Sequence, residues 1–243
     1  MRPLGPCQNR PVTEVFAHRG LHRVERENTV AAFLEARSAG ADGVELDVRR
    51  TVDGALVVHH DADIEGVGAI AALHCRDLPA EVPALAEAMT ACANLRVNVE
   101  IKNDPAGPEY DGTGALAGQV VTALAEMDRL GDVVISCFDL PTCEAVRRLH
   151  PTVDVGWLID WRADPAPTVE VAVEFGLSAI HPFFHRVDAD LVTHAHQRGL
   201  DVNVWTVNAV DQMERLATLG VDVIITDEVV DALAVLARLG TRL

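Results

Sequence analysis

Positive charge is scarce in this chain. Its 20 Lys and Arg stand against 37 Asp and Glu, a formal net charge of −17 with His neutral. Such a surface repels phosphate backbones and anionic lipid, so a nucleic-acid-binding module is not expected. No run approaches the roughly 20 apolar residues of a membrane span, and MRPLGPCQNRPVTEVFAHRG at positions 1–20 has no apolar core of the length an export signal needs. The expectation is a soluble, cytoplasmic protein without stable membrane insertion. The cysteines Cys7, Cys75, Cys92, Cys137 and Cys143 are odd in number and lack CxxC spacing, which argues against both a full disulfide framework and a thiolate zinc site. Nor does GxGxxG follow the first β-like run, where a dinucleotide-binding sheet would carry its phosphate loop.

What is present is an unbroken alternation of β-branched runs and amphipathic stretches, without a linker or a shift in composition. It predicts one α/β domain over 1–243 with a core from about 14 to 240. Eight candidate strands fall at 14–20, 43–48, 96–102, 132–138, 153–159, 178–184, 201–207 and 221–227, each followed by a helix-like segment. That is the arithmetic of a (β/α)8 TIM barrel; a doubly wound open sheet is the alternative. A ninth run, GALVVHH, lies only TVDGA beyond the second strand, too close for a crossover helix, and must be a hairpin arm. If Asp53-Gly54 forms a two-residue turn, Val52 pairs with Ala55, Arg49 with Val58, Val48 with His59 and Asp47 with His60. His60, not His59, would then share a face with Asp47.

In a barrel the C-terminal strand ends form the active face, and polar residues gather there. The first strand ends in His18-Arg19-Gly20, the second carries Glu45 and Asp47, the hairpin arm ends in His59-His60-Asp61, the third barrel strand ends in Glu100 and Lys102, the seventh adds Trp205, and the eighth ends in Thr226-Asp227. Glu45 and Asp47, two apart in a strand, leave the same face. With Glu100 they offer three oxygen donors, suited to one hard divalent cation, Mg²⁺ or Ca²⁺, rather than zinc; the plainer reading is surface salt-bridging, which the apolar neighbours Val44, Leu46, Val48, Val97, Val99 and Ile101 disfavour. His18 and His60 are the proton-transfer candidates. The other histidines (His22, His59, His74, His150, His181, His185, His194, His196) are set aside because no strand-end carboxylate pair accompanies them as closely. Arg19 and Lys102 supply positive charge for a phosphoryl group. Trp205 is either a substrate wall or core packing.

Taken in order, HRG (18–20), ENT (27–29), ADGVELDVRRTVDGALVVHHD (41–61), EIK (100–102), SCFD (136–139), WTVN (205–208) and GVDVIITD (220–227) resemble the glycerophosphodiester phosphodiesterases over about positions 16–230. The resemblance implies a metal-dependent (β/α)8 barrel that hydrolyses glycerophosphodiesters to sn-glycerol 3-phosphate and an alcohol. It implies His18 and His60 as the acid/base pair, Glu45, Asp47 and Glu100 as metal ligands, and Arg19, Lys102 and Trp205 as substrate contacts. Arg26 replaces the usual Pro before ENT, and the stretch from Ala62 to Val82 is much shorter than the family's capping insertion. A shortened cap predicts an open cleft tolerant of varied leaving alcohols. The competing functions are a phospholipase D-type enzyme acting on lysophospholipid or sphingomyelin, and a non-catalytic ligand-binding barrel, which ought to have lost a histidine or carboxylate. Oligomeric state is not encoded in these features.

Overall fold

The computed structural model describes residues 12–240. In chain order its strands are β1 (Glu14–Ala17), β2 (Gly43–Arg50), β3 (Leu56–Val58), β4 (Asp63–Ile64), β5 (Gly68–Ala69), β6 (Arg96–Ile101), β7 (Val133–Cys137), β8 (Asp154–Leu158), β9 (Ala179–His181), β10 (Asp201–Val204) and β11 (Val223–Thr226). The helices are α1 (Val30–Ser38), α2 (Leu85–Ala91), α3 (Ala115–Glu126), α4 (Leu140–Leu149), α5 (Thr168–Glu174), α6 (Ala189–Gln197), α7 (Val210–Leu219) and α8 (Val229–Leu239). The parallel strands run β1-β11-β10-β9-β8-β7-β6-β2, and β1 also pairs with β2. The sheet therefore closes into an eight-stranded TIM barrel, which removes the open-sheet alternative.

The local reasons are ordinary. Parallel strands with helices outside and side chains within are covered on both faces, so they read as apolar runs, and all five residues of β7 are buried. Thr29, Asp139 and Asp188 accept backbone N–H groups of Ala32, Thr142 and Leu191 and so start α1, α4 and α6. Most buried apolar side chains lie between barrel and helices, whereas Phe16, Val223 and Ile225 form a separate cluster with Trp205 packed on it. No helix among the described residues is long and apolar enough to cross a membrane. Cys7 lies outside the described residues; Cys75, Cys92, Cys137 and Cys143 are free thiols.

The hairpin corrects the sequence reading. Arg49 pairs with Val57 rather than Val58, and Val48 with Val58 rather than His59, a slip of one residue. The cause is a three-residue loop, Val52-Asp53-Gly54, in place of the expected two-residue Asp53-Gly54 turn. Thr51 N–H donates to Ala55 O at 2.9 Å, and the Thr51 hydroxyl accepts from Ala55 N–H at 2.9 Å while donating to Asp53 Oδ1 at 2.6 Å. Gly54 supplies the left-handed residue at φ +84° that such a loop requires. In this register His59 is the residue that donates its backbone N–H to Asp47 O, at 2.9 Å. The ladder stops there, so strand alternation no longer governs the residue that follows.

The 62–82 segment folds into the two-stranded ribbon β4–β5 and two short 3-10 turns. Ile64 and Ile70 are buried with Val57 of β3, and Cys75, Leu78 and Val82 pack beside them. Ile64, Ile70, Leu78 and Val82 are thus committed to packing against the hairpin, whereas Val67 is exposed.

Candidate active site

The first loop of the barrel is tightly folded. His18 donates its backbone N–H to Thr226 O at 2.9 Å, Arg19 adopts φ +56° and Gly20 φ +83°. A Cβ on Gly20 would stand 2.8 Å from the backbone of Ala32, so only glycine lets the loop lie against α1. This turn aims the Arg19 backbone N–H at Glu45 Oε2, 3.0 Å away, and brings Arg19 Nε to 3.4 Å from Asp47 Oδ2. A left-handed residue other than glycine, in contact with a buried carboxylate, marks a place where the surroundings hold the backbone in an uncommon conformation.

Glu45, Asp47 and Glu100 are 3%, 1% and 8% exposed. Asp47 and Glu100 are lateral neighbours on β2 and β6, and one oxygen from each of the three carboxylates lies within 4.8 Å of the others. Lys102, the only lysine in the chain, places Nζ 2.8 Å from Asp47 Oδ1 and 2.5 Å from Glu100 Oε1. Its raised pKa reflects these two carboxylates overcoming the effect of its own burial. Asp47 is correspondingly held at about 2, because Lys102 and Arg19, with His60, prevail over burial. Glu45 goes the other way. Burial, then repulsion from Asp47 and Glu100, lifts its pKa well above the ordinary value, and its Oε1 is buried without a hydrogen-bond partner. An orphaned carboxylate oxygen facing two others in a dry site is the condition a hard divalent cation relieves, and an all-oxygen donor set fits Mg²⁺ or Ca²⁺.

The imidazoles are each tethered to a carboxylate. His18 Nδ1 lies 2.7 Å from Asp227 Oδ1 at the end of β11, and His60 Nδ1 lies 2.7 Å from Asp61 Oδ1. The backbone carbonyl of His60 accepts from Arg49 Nη2 at 2.6 Å and Nε at 3.0 Å, and Arg49 in turn pairs with Glu109. Burial, then Lys102, lowers the pKa of His60, which keeps the ring neutral near pH 7. His60 is among the groups whose charge lowers the pKa of Asp47. His59 instead bonds the carbonyl of Asp61 through Nδ1 at 3.0 Å. His60 lines the same cleft as Glu100 and Lys102, whereas the register offered as the reason for choosing it was wrong. Chain exit from the ladder, pinned by Arg49, decides it.

A cleft of about 640 Å³ opens beside this centre, lined among others by His60, Glu100, Lys102, Phe138, Trp157 and Asp160. Trp205 stands next to it. Its Nε1 donates to His181 O at 2.7 Å, and its ring meets Phe138 edge-on at 5.6 Å. It therefore combines core packing on Phe16, Val223 and Ile225 with support for a cleft wall.

Two further residues, Asn28 and Asp227, were given no site role in the sequence reading. Asn28, with φ +56°, is 3% exposed and donates Nδ2 to Asp47 Oδ2 at 2.7 Å. Asp227 binds His18, and its Oδ2 accepts from Asn208 Nδ2 at 2.6 Å. His22 Nε2 reaches the same Asp227 Oδ1 at 3.2 Å. The signals were the ENT triplet and the strand-end Asp, but nothing in the sequence says which histidine faces an acid 209 residues away.

The glycerophosphoryl diester phosphodiesterase family model matches residues 18–231. A glycerophosphodiester phosphodiesterase of Caldanaerobacter subterraneus subsp. tengcongensis is 30% identical over 236 residues, covering 89% of this chain and 94% of the relative. One from Bacillus altitudinis is 28% identical over 241 residues, 89% and 95% of the two chains. The crystal structure of a glycerophosphodiester phosphodiesterase from Parabacteroides distasonis superposes with TM-score 0.84 at 26% identity, over 95% of this chain and 99% of that one. Together with the closed barrel and the carboxylate-lined mouth, these matches establish that the chain belongs to the glycerophosphoryl diester phosphodiesterase family.

Proposed function

We propose that the protein hydrolyses small glycerophosphodiesters to sn-glycerol 3-phosphate and an alcohol, with Glu45, Asp47 and Glu100 holding one divalent cation and His18 and His60 transferring the protons. The carrying observation is the charge pattern of the barrel mouth. With all three ionised, the buried carboxylates exceed the two fixed cations Arg19 and Lys102 by one negative charge, an excess that burial makes costly and that shows in the raised pKa of Glu45. A divalent ion turns this into one positive charge, matching the single negative charge of the substrate. When bound, the ion supplies charge neutralisation and polarisation of a phosphoryl oxygen.

The chain's own residues do the rest. Arg19 and Lys102 face the carboxylates with positive charge that meets the substrate's equatorial oxygens as charge gathers there. Asp227, accepting the Nδ1 proton of His18, fixes the tautomer in which Nε2 is the proton-transfer atom, and Asp61 does the same for His60. One imidazole removes the proton of the attacking hydroxyl and the other protonates the departing alkoxide, the two exchanging roles in the reverse direction.

The test is the purified protein offered glycerophosphodiesters and lysophospholipids with Mg²⁺ or Ca²⁺, before and after exhaustive chelation. Glycerol 3-phosphate release that chelation abolishes and added cation restores is the expected result. Full activity after chelation would overturn the metal assignment. Lysophospholipid cleavage alone would favour the phospholipase D-type reading, and no turnover at all would favour a ligand-binding barrel.

A further inference from the structure

Beyond the carboxylate centre, a second set of metal-ligating side chains meets where the loop after β1 faces the end of β11. A ring nitrogen of His18, a ring nitrogen of His22 and a carboxylate oxygen of Asp227 lie within 4.8 Å of one another. The two imidazole contacts to Asp227 Oδ1 are 2.7 and 3.2 Å. Donors bonded tetrahedrally at roughly 2.0–2.1 Å stand about 3.3 Å apart, so the closer contact needs to open by only about half an ångström to admit an ion. We propose that these three residues form a second metal site, selective for a borderline transition cation such as Zn²⁺, whose occupation silences His18.

The donor chemistry separates the two sites. Glu45, Asp47 and Glu100 present oxygen alone, whereas this cluster presents two imidazole nitrogens and one oxygen, a set that favours zinc over Mg²⁺ or Ca²⁺. The cluster is also built before any ion arrives. Leu21, 5% exposed, anchors the loop between the histidines, and its N–H donates to Ala32 O at 3.0 Å. Asp227 accepts from Asn208 through Oδ2 and donates its own N–H to Asn208 Oδ1 at 3.0 Å, which leaves Oδ1 turned to both rings. A carboxylate fixed from behind is the outer support that metal-ligating groups usually have. With side chains of His18, His22 and Asp227 at 19%, 24% and 29% exposure, the site is open to an ion from solvent.

The consequence for activity rests on the reading of His18 as an acid/base group; the binding itself does not. An ion on Nδ1 takes that lone pair, and the ring's one proton then resides on Nε2. Nε2 has no lone pair left to accept a proton, and giving up the one it holds leaves an imidazolate. Either way the residue stops shuttling.

The experiment titrates Zn²⁺ alone into the Mg²⁺-loaded enzyme by calorimetry, repeats the titration with Co²⁺ while recording its visible absorption, and measures zinc inhibition in wild type, His22→Ala and His22→Gln. Expected are one equivalent of zinc beyond Mg²⁺, ligand-field bands of nitrogen-ligated four- or five-coordinate cobalt, and inhibition that excess Mg²⁺ does not relieve. Both variants, retaining Mg²⁺-dependent turnover, should need at least tenfold more zinc for half-inhibition and lose the cobalt bands. Equal zinc sensitivity in the variants, relief by Mg²⁺, or the absence of a second equivalent would each overturn the site. Calorimetry and the cobalt spectrum read the site even in a protein that cleaves no phosphodiester, so failure of the proposed hydrolysis and failure of this site are separable.

Discussion

Single side chains at the barrel mouth carry the testable chemistry. Replacing His18 or His60 by Ala removes a proton-transfer group, and turnover is expected to fall on the order of a hundredfold or more with the fold intact. Wild-type rates with an unchanged circular dichroism spectrum would make that histidine structural. Lys102 is the more severe position, because among the described residues it is the cation paired with both Asp47 and Glu100. Lys102→Met leaves those buried carboxylates without their nearest cation, so Asp47 should lose its low pKa and kcat/KM should drop by about 10² to 10³. Lys102→Arg should not rescue it fully, since a planar fork does not replace a point charge between two carboxylates. Steady-state kinetics on the two variants check this. Cys92 and Cys137, by contrast, are thiols that burial pushes up to about 12, which makes them poor nucleophiles.

At the scale of elements, loops between regular segments set the geometry. Gly20→Ala forces a Cβ to 2.8 Å from Ala32 at φ +83°. A loss of about 1–3 kcal/mol in urea unfolding is expected, together with reduced kcat, because the same turn aims Arg19 and His18. Unchanged stability and kinetics would show the loop to be tolerant. The 62–82 segment packs Ile64, Ile70, Leu78 and Val82 against the hairpin and contributes Ala62 alone to the cleft lining, which leaves little chain to roof the cleft. Relative rates on diesters differing only in the alcohol should therefore stay within about tenfold, whereas changes to the glycerophosphate half should cost more. Turnover of a single headgroup would refute this.

For the whole molecule, acid stability depends on a group inside the barrel. His181 is 0% exposed, its Nε2 accepts from Asn203 Nδ2 at 2.9 Å, and burial lowers its pKa to about 3. Below the unfolded value near 6.5 the unfolded chain binds a proton that the folded chain refuses. Stability from this group is thus present above about pH 6.5 and lost as pH falls toward 3, at up to about 1.4 kcal/mol per pH unit. Unfolding free energies measured between pH 4 and 7 should slope less in His181→Asn than in wild type; equal slopes would refute the assignment. His181 was passed over in the sequence because no acid accompanies it; in the fold it is buried and bonded to Asn203.

Much of this was legible in the sequence for one reason: period-two alternation and short crossovers are local. They placed eight strands, put Glu45 and Asp47 on one face, and excluded a crossover between β2 and β3, all without knowledge of distant residues. Closure of the sheet by β1 with β11 and β2, the bond from His18 to Asp227, and the clamp of Asn28 on Asp47 join parts of the chain 19 to 209 residues apart, and only packing selects among such partners. The hairpin shows the boundary most sharply. Asp53-Gly54 names a turn, but the Thr51 hydroxyl chooses a three-residue loop over a two-residue one, and a slip of one residue reverses every face that follows. His60 reaches the site because the chain leaves the ladder and Arg49 holds it there, a tertiary contact that alternation along the strand cannot express.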